Sequence, residues 1–233
     1  MDYKKLLDVA SFDPVRMVHP PSWVGHMPFA YWLVGETRPR IIVELGVQSG
    51  NSYFTFCQSV EEHSLETQCF AVDTWKGDVH SGPYGEDVFE GVAEHNNRYH
   101  PFSSSLLRST FDNAVGHFKD GSIDILHIDG LHTYEAVKHD FETWQPKLSM
   151  SAVVLFHDTQ VKHGDFGVWK FWEELKLIQR GYPNMEFLHC NGLGVISGWG
   201  YEFLFDPQIR KYFTALGLHQ MDRYDLMRMR GVI

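Results

Sequence analysis

Short apolar runs recur along the chain, and each ends at a charged or imidazole side chain. Ile41-Ile42-Val43 ends at Glu44, Cys69-Phe70-Ala71-Val72 at Asp73, Ile123 to Ile128 at Asp129, and Ala152 to Phe156 at His157-Asp158. Runs this short, apolar almost throughout, predict strands covered on both faces. Ser103 to Leu107 reads as a further, more polar strand. Between the runs lie segments with helical spacing: one after Gly50, one over Asp87–Tyr99, one over Phe111–Phe118, one from His132 to about Leu148 and one over Gly167–Arg180. Val168, Phe171, Trp172 and Leu175 share one face of the last of these. Glu186–Cys190 and Leu193–Ser197 flank Asn191-Gly192, which predicts a terminal antiparallel pair. Strands alternating with helices predict an α/β doubly wound sheet.

Upstream, Asp2–Val9 reads as a short helix, His19-Pro20-Pro21-Ser22 as a turn, and Trp23–Gly35 as an aromatic helix packed on the sheet or walling a ligand. Tyr201–Ile233 reads as a tail with one or two short helices. Without an internal repeat or linker, the expectation is a single domain: a helical segment over 1–39, a core over 40–200 and a tail over 201–233.

The most informative stretch is the first strand and its turn, Glu44 through Ser52. Gly46 and Gly50 allow a tight bend and close approach of backbone to a ligand. Ser49, Asn51 or Ser52 is expected to cap the following helix. That layout suits a nucleotide-type cofactor, although Gly-x-Gly-x-x-Gly is absent. Asp73, closing the second strand, is placed to accept hydrogen bonds from ribose hydroxyls. Ser109 falls where an adenine contact or a helix cap is expected.

Composition narrows the picture. The chain has 233 residues and a formal net charge of -10, which disfavours nucleic acid and anionic membrane as partners. No apolar run approaches a membrane span, and Met1-Asp2-Tyr3-Lys4-Lys5 does not open a signal peptide. Cys57 and Cys69 sit in apolar segments and read as buried thiols of a reducing, cytoplasmic setting. Among the 14 histidines, His127 reads as core, His139 and His163 as solvent-facing, and His132 and His157 as candidates for chemistry.

In an open parallel sheet the strands' C-terminal ends line one crevice. Glu44, Asp73, Asp129 and His157-Asp158 are therefore expected on one rim. With that arrangement the sequence resembles the class I S-adenosylmethionine-dependent methyltransferases, in particular the small-molecule and sugar O-methyltransferase branch. The resemblance rests on VELGVQSGNS at 43–52, FAVDTWKGD at 70–78, SIDILHIDGLHTYEAVKHD at 122–140, VVLFHDT at 153–159 and FGVWKFWEEL at 166–175, and it covers roughly residues 38 to 200. It implies a seven-stranded, mostly parallel sheet with the last strand antiparallel. It also implies cofactor contacts from Glu44, Gly46, Gly50, Ser52, Asp73, Ser109 and Asp129. Metal-dependent members of the branch imply a divalent ion, Mg²⁺ or Mn²⁺, at Asp129, His157 and Asp158. His157 stands where an acidic residue is common, so it is either a ligand or, like His132, the general base beside Asp129. The acceptor implied is a small molecule or sugar, and association with further copies of the chain stays open. Two other readings keep the fold: a metal-dependent tailoring enzyme of hydroxylase type, and a cofactor-binding protein without catalysis.

Overall fold

The computed structural model describes Leu6, Leu7 and residues 9–233. The helix expected over Asp2–Val9 lies mostly outside the described residues; Leu6, Leu7 and Val9 are helical. In chain order the main elements are α1 (Met27–Thr37), β1 (Ile41–Leu45), α2 (Asn51–Glu62), β2 (Gln68–Asp73) and a small hairpin of β3 (Gly77–Asp78) and β4 (Gly82–Pro83). Then follow α3 (Glu86–Tyr99), β5 (Ser104–Arg108), α4 (Phe111–Ala114), β6 (Ile123–Ile128), α5 (Tyr134–Trp144), β7 (Leu148–His157) and α6 (Val168–Ile178). The chain ends with β8 (Asn184–Phe187), β9 (Leu193–Ser197) and α7 (Pro207–Met229).

The main sheet has seven strands in the order β5-β2-β1-β6-β7-β9-β8. β9 runs antiparallel to both β7 and β8, and the other pairings are parallel. This is the doubly wound, seven-stranded sheet expected from the alternation and the motifs. The strands are apolar on both faces because both are covered. Ile42, Ala71, Ile125 and Leu155 pack beneath α1, α2 and α7. Their neighbours Val43, Val72, Leu126 and Phe156 pack beneath α4, α5 and α6. The period-two switch of face along each strand separates the two cores.

The boundaries differ in instructive places. The tail holds a short 3₁₀ helix over Glu202–Phe205 and then one helix of 23 residues, longer than expected, with Pro207 in its first turn and the Asp206 side chain accepting from the Gln208 N–H. Proline at that position starts a helix, because the N–H it lacks has no partner there anyway. The connection between β8 and β9 is longer than a two-residue turn, and Cys190, Asn191 and Gly192 all take positive φ.

None of Ser49, Asn51 and Ser52 caps α2. Its N-cap is Gly50, with φ +84° and no side-chain cap bond. Asn51 instead straps the N-terminal segment across the helix. Its Oδ1 accepts from Val18 N at 3.0 Å, and its Nδ2 donates to the Val18 and Pro20 carbonyls at 2.8 and 2.9 Å. Gln58, two turns on, accepts from Val15 N and donates to the Asp13 carbonyl. Asn51→Ala would leave these buried backbone groups unpaired and is expected to cost about 2–3 kcal/mol. Urea denaturation should show the midpoint lowered at unchanged slope, and an unshifted midpoint would contradict the strap.

Candidate active site

The C-terminal ends of β1, β2, β6 and β7 open into one cleft of about 310 Å³. Its wall combines the Gly46–Ser49 turn, Asp73, the Asp129–His132 loop and His157-Asp158 with Trp23 from the N-terminal segment and Tyr84 from the hairpin loop.

Asp73 organises the donor side. Its Oδ2 accepts from the backbone N–H of Val47 and Gln48 at 2.8 and 2.9 Å, and its Oδ1 accepts from Trp75 N at 2.7 Å. One carboxylate thus holds the first turn against the end of the second strand. Gly46 takes φ +87°, and a Cβ there would run into the backbone of Asp129. The β1 turn and the β6 turn can meet only because that position has no side chain. Beside them α2 begins without a side-chain cap, so its first N–H groups are open to an anionic ligand.

Three residues expected at the cofactor lie elsewhere. Glu44 is fully buried beneath the cleft and does not line it. Its Oε1 accepts from Ser52 Oγ at 2.6 Å, and His127 Nδ1 lies 3.2 Å from its Oε2, an electrostatic contact rather than a well-angled hydrogen bond. Burial pushes the Glu44 carboxyl up, and His127 and Ser52 oppose that. The side chain points down because Glu44 sits inside the β1 pairing with β2 and β6, not on the turn. Gly50 is turned away from the cleft, and a Cβ there would strike the Phe54 ring. Ser109 uses its N–H on the Asp73 carbonyl, and Thr110 and Phe111 form the wall in its place. Ser52 does reach the cleft, alongside Gly46, Asp73 and Asp129.

His127 is core, as expected. Trp23 Nε1 donates to its Nε2 at 3.2 Å, so a buried polar chain links two wall residues, Trp23 and Ser52, through His127 and Glu44. His139 and His163 are exposed. Trp75 and Trp172 are buried in the core and do not line the cleft.

On the opposite wall two carboxylates and two imidazoles interlock. His132 Nε2 lies 2.8 Å from Asp158 Oδ2 and 3.5 Å from Asp129 Oδ1. His157 Nδ1 lies 3.2 Å from Asp129 Oδ1 and 3.3 Å from Asp158 Oδ2. The other nitrogen of His157 donates to the Cys190 carbonyl at 3.0 Å. Ligand atoms of Asp129, His132 and Asp158 all fall within 4.8 Å of one another and could hold a cation, so His132, expected as a base, also stands as a candidate ligand. Asp158, with φ +63°, keeps a buried Oδ1 that has no hydrogen-bond partner.

Electrostatics follow from the packing. Burial lowers the His132 pKa, but hydrogen bonds to Asp129 and Asp158 outweigh it and raise the value to about 9. Burial likewise opposes charge on His157, and Asp158 and Asp129 hold it well above the ordinary range. Asp129 and Asp158 are held low, because His157 and the hydrogen bonds from both imidazoles overcome the cost of burying them.

His132 titrates near 6.5 in the unfolded chain, so its stabilising contribution is complete below about pH 6.5 and is lost as pH rises through 9. The carboxylates contribute above their unfolded pKa, and that share is lost only in acid. Metal-free protein is expected to lose on the order of 3 kcal/mol between pH 6.5 and pH 9. Urea melts across that range check it, with His132→Gln as the control that should remove the His132 share of the slope.

A family model described as a methyltransferase domain matches residues 43–159. The chain belongs to that methyltransferase family. It is also 50% identical over 197 residues to an uncharacterized protein, y4gI, of Sinorhizobium fredii; the match covers 84% of this chain and 21% of that protein. The chain thus spans about a fifth of that curated relative. Solved structures of the same fold include a Staphylococcus aureus protein provisionally described as a caffeoyl-CoA O-methyltransferase (TM-score 0.59, 15% identity, covering 85% of this chain and 92% of that one). They also include the SAH-bound methyltransferase PaMTH1 of Podospora anserina (TM-score 0.57, 12% identity, 85% and 87%). A third is the O-methyltransferase TomG of Streptomyces achromogenes in complex with SAM (TM-score 0.54, 12% identity, 84% and 90%). At these identities the likeness is one of fold. The methyltransferase match spans β1 to the end of β7, and so contains the glycine turn, Asp73, Asp129, His132 and His157-Asp158.

Trp23, in the wall, and His80, behind His132, carried no sequence motif. Trp23 lies in the aromatic segment before β1, and nothing in the local pattern separates a cleft wall from core. His80 sits in the small hairpin, which folds back over His132. The turn-forming run His80-Ser81-Gly82-Pro83-Tyr84-Gly85 reads as a candidate active-site loop, but nothing in it singles out His80. No helix among the described residues is long and apolar enough to cross a membrane.

Proposed function

We propose that the protein is an S-adenosylmethionine-dependent O-methyltransferase that acts on a hydroxyl of a small molecule or sugar with help from a divalent cation. The observation that carries this reading is the meeting of two sites in one cleft: the Gly46 turn held by Asp73, and the carboxylate–imidazole cluster opposite. The SAM- and SAH-bound fold neighbours support the choice of donor.

The residues fit both groups. For the donor, the open N-terminus of α2 suits its carboxylate, and Asp73, Thr110 and Phe111 stand where its ribose and adenine would lie. The donor supplies an electrophilic methyl on sulfonium. For the cation, Asp129, His132 and Asp158 provide an oxygen-rich set with one nitrogen, suited to Mg²⁺ or Mn²⁺, and Asp158 Oδ1 lacks a protein partner. A cation there lowers the pKa of the acceptor hydroxyl.

The chain's own share is position, charge and proton handling. Trp23 and Tyr84 close the cleft on either side and limit water. His157 is pinned through Nε2 to the Cys190 carbonyl, so Nδ1, beside Asp129, is the atom that can gain or lose a proton. In this reading His132 is a ligand, and His157 Nδ1 would become the proton acceptor once a cation on Asp129 and Asp158 offsets the charge that otherwise keeps it protonated. Free, buried Cys57 and Cys69 support a reducing, cytoplasmic setting.

Incubation with S-adenosylmethionine and a panel of phenolic, catecholic and sugar acceptors, with and without Mg²⁺ or Mn²⁺, should yield S-adenosylhomocysteine only with a hydroxyl acceptor. Donor binding without turnover across that panel would move the reading to a binding protein, and no donor binding would end it.

A further inference from the structure

Two segments converge behind His132. His80, from the hairpin between β3 and β4, has a nearly buried side chain. Its Nε2 lies 2.8 Å from Asp165 Oδ1, and its Nδ1 lies 3.3 Å from Nδ1 of His132. Phe166 stacks against both imidazoles, at 4.3 Å and 18° to His80 and at 5.0 Å and 14° to His132. The Asp165–Gly167 segment is itself docked on the His132 loop: Gly167 N donates to the His132 carbonyl at 2.7 Å, and Phe166 bridges Thr133.

Proton counting on this chain leaves one arrangement once a cation is held by Asp129, His132 and Asp158. A carboxylate only accepts, so His80 Nε2 carries a hydrogen toward Asp165. A ring nitrogen that binds a cation cannot keep its proton. His132 Nε2 is the nitrogen facing Asp158, so the remaining proton of His132 sits on Nδ1 and is donated to His80 Nδ1. We propose that His80 and Asp165 are positioning residues for the cation site: they hold His132 with its proton on Nδ1 and its Nε2 electron pair facing Asp129 and Asp158, while Phe166 fixes the plane of both rings. The proposal rests on the metal reading above and extends it to residues outside the metal set. Partners of this kind raise ligand basicity and fix ring orientation, and losing them typically weakens metal affinity about 10- to 100-fold. The same contact ties the position of the hairpin to the orientation of His132.

Calorimetric titration of Mn²⁺ into the full chain tests this with four variants. Asp158→Asn, which removes a carboxylate ligand, should abolish binding. His80→Leu, which cannot accept from His132, should bind roughly 10- to 100-fold more weakly than wild type. His80→Asn, whose side-chain oxygen can take the place of Nδ1, should stay within about threefold of wild type, and Asp165→Ala should fall between the two. Long-range ¹H–¹⁵N correlation of the Mg²⁺-loaded protein should place the His132 proton on Nδ1. Wild type binding Mn²⁺, with Asp158→Asn dead and His80→Leu unchanged, would overturn the positioning role and leave the metal reading intact. Equal losses in His80→Leu and His80→Asn, or a His132 proton on Nε2, would also overturn it. Absence of Mn²⁺ binding in wild type would remove both.

Discussion

Asp73→Asn is expected to weaken S-adenosylmethionine binding by about 2–3 kcal/mol, roughly 30- to 150-fold, while the protein stays folded. The carboxylate accepts three backbone N–H groups with two oxygens, from Val47, Gln48 and Trp75. An asparagine has one accepting oxygen. If that oxygen keeps Val47 and Gln48, the new NH₂ faces the Trp75 N–H, donor against donor, and the reverse placement exposes the turn amides to the same conflict. Either way the turn that would carry the donor loses its anchor to β2, and the charge that favours those hydrogen bonds is gone. Isothermal titration of the donor measures the effect. A folded Asp73→Asn protein that binds the donor as tightly as wild type would show that Asp73 does not organise the donor side.

Gly46→Ala has the other large expected effect, on stability as well as binding. The left-handed φ of +87° costs an L-residue about 1–2 kcal/mol, and the added methyl meets the Asp129 backbone, which cannot swing aside like a flexible side chain. Adding overpacking of about 1–3 kcal/mol gives a total of about 2–5 kcal/mol. The clash pushes apart the β1 turn and the β6 turn, so the distance between the donor wall and Asp129 changes even where the fold survives. Urea denaturation together with donor titration should show both losses. A variant of wild-type stability would contradict the close approach of these two turns.

These residues also show what the sequence could and could not convey. The buried strands were legible because a sheet covered on both faces needs apolar side chains at every position, as in Ala152–Phe156. Their acidic ends were legible because each apolar run stopped at one. Side-chain direction was not. Glu44 and Asp73 both close apolar runs, yet Glu44 lies within the β1 ladder and turns down toward His127, whereas Asp73 reaches the turn. The choice between His132 and His157 was hidden for a similar reason. It depends on the left-handed Asp158 and on the Cys190 carbonyl capturing His157 Nε2, a contact spanning 33 positions in the chain. Asn51 looked like a helix-start residue because its side chain accepts hydrogen bonds, and it does accept one, from a segment far upstream rather than from its own helix. The tail was read as one or two short helices, and the second piece proves long because proline in its first turn starts the helix rather than stopping one.

The central claim is that the cleft between the Gly46–Ser49 turn and Asp129 holds a methyl donor. A crystal structure of the protein grown with S-adenosylmethionine tests it most directly. The account predicts the donor's carboxylate at the start of α2, its ribose at Asp73, its adenine against Thr110 and Phe111, and its methyl group facing Asp129 and His157. A donor bound elsewhere, or in this cleft with its methyl turned away from that cluster, would contradict it.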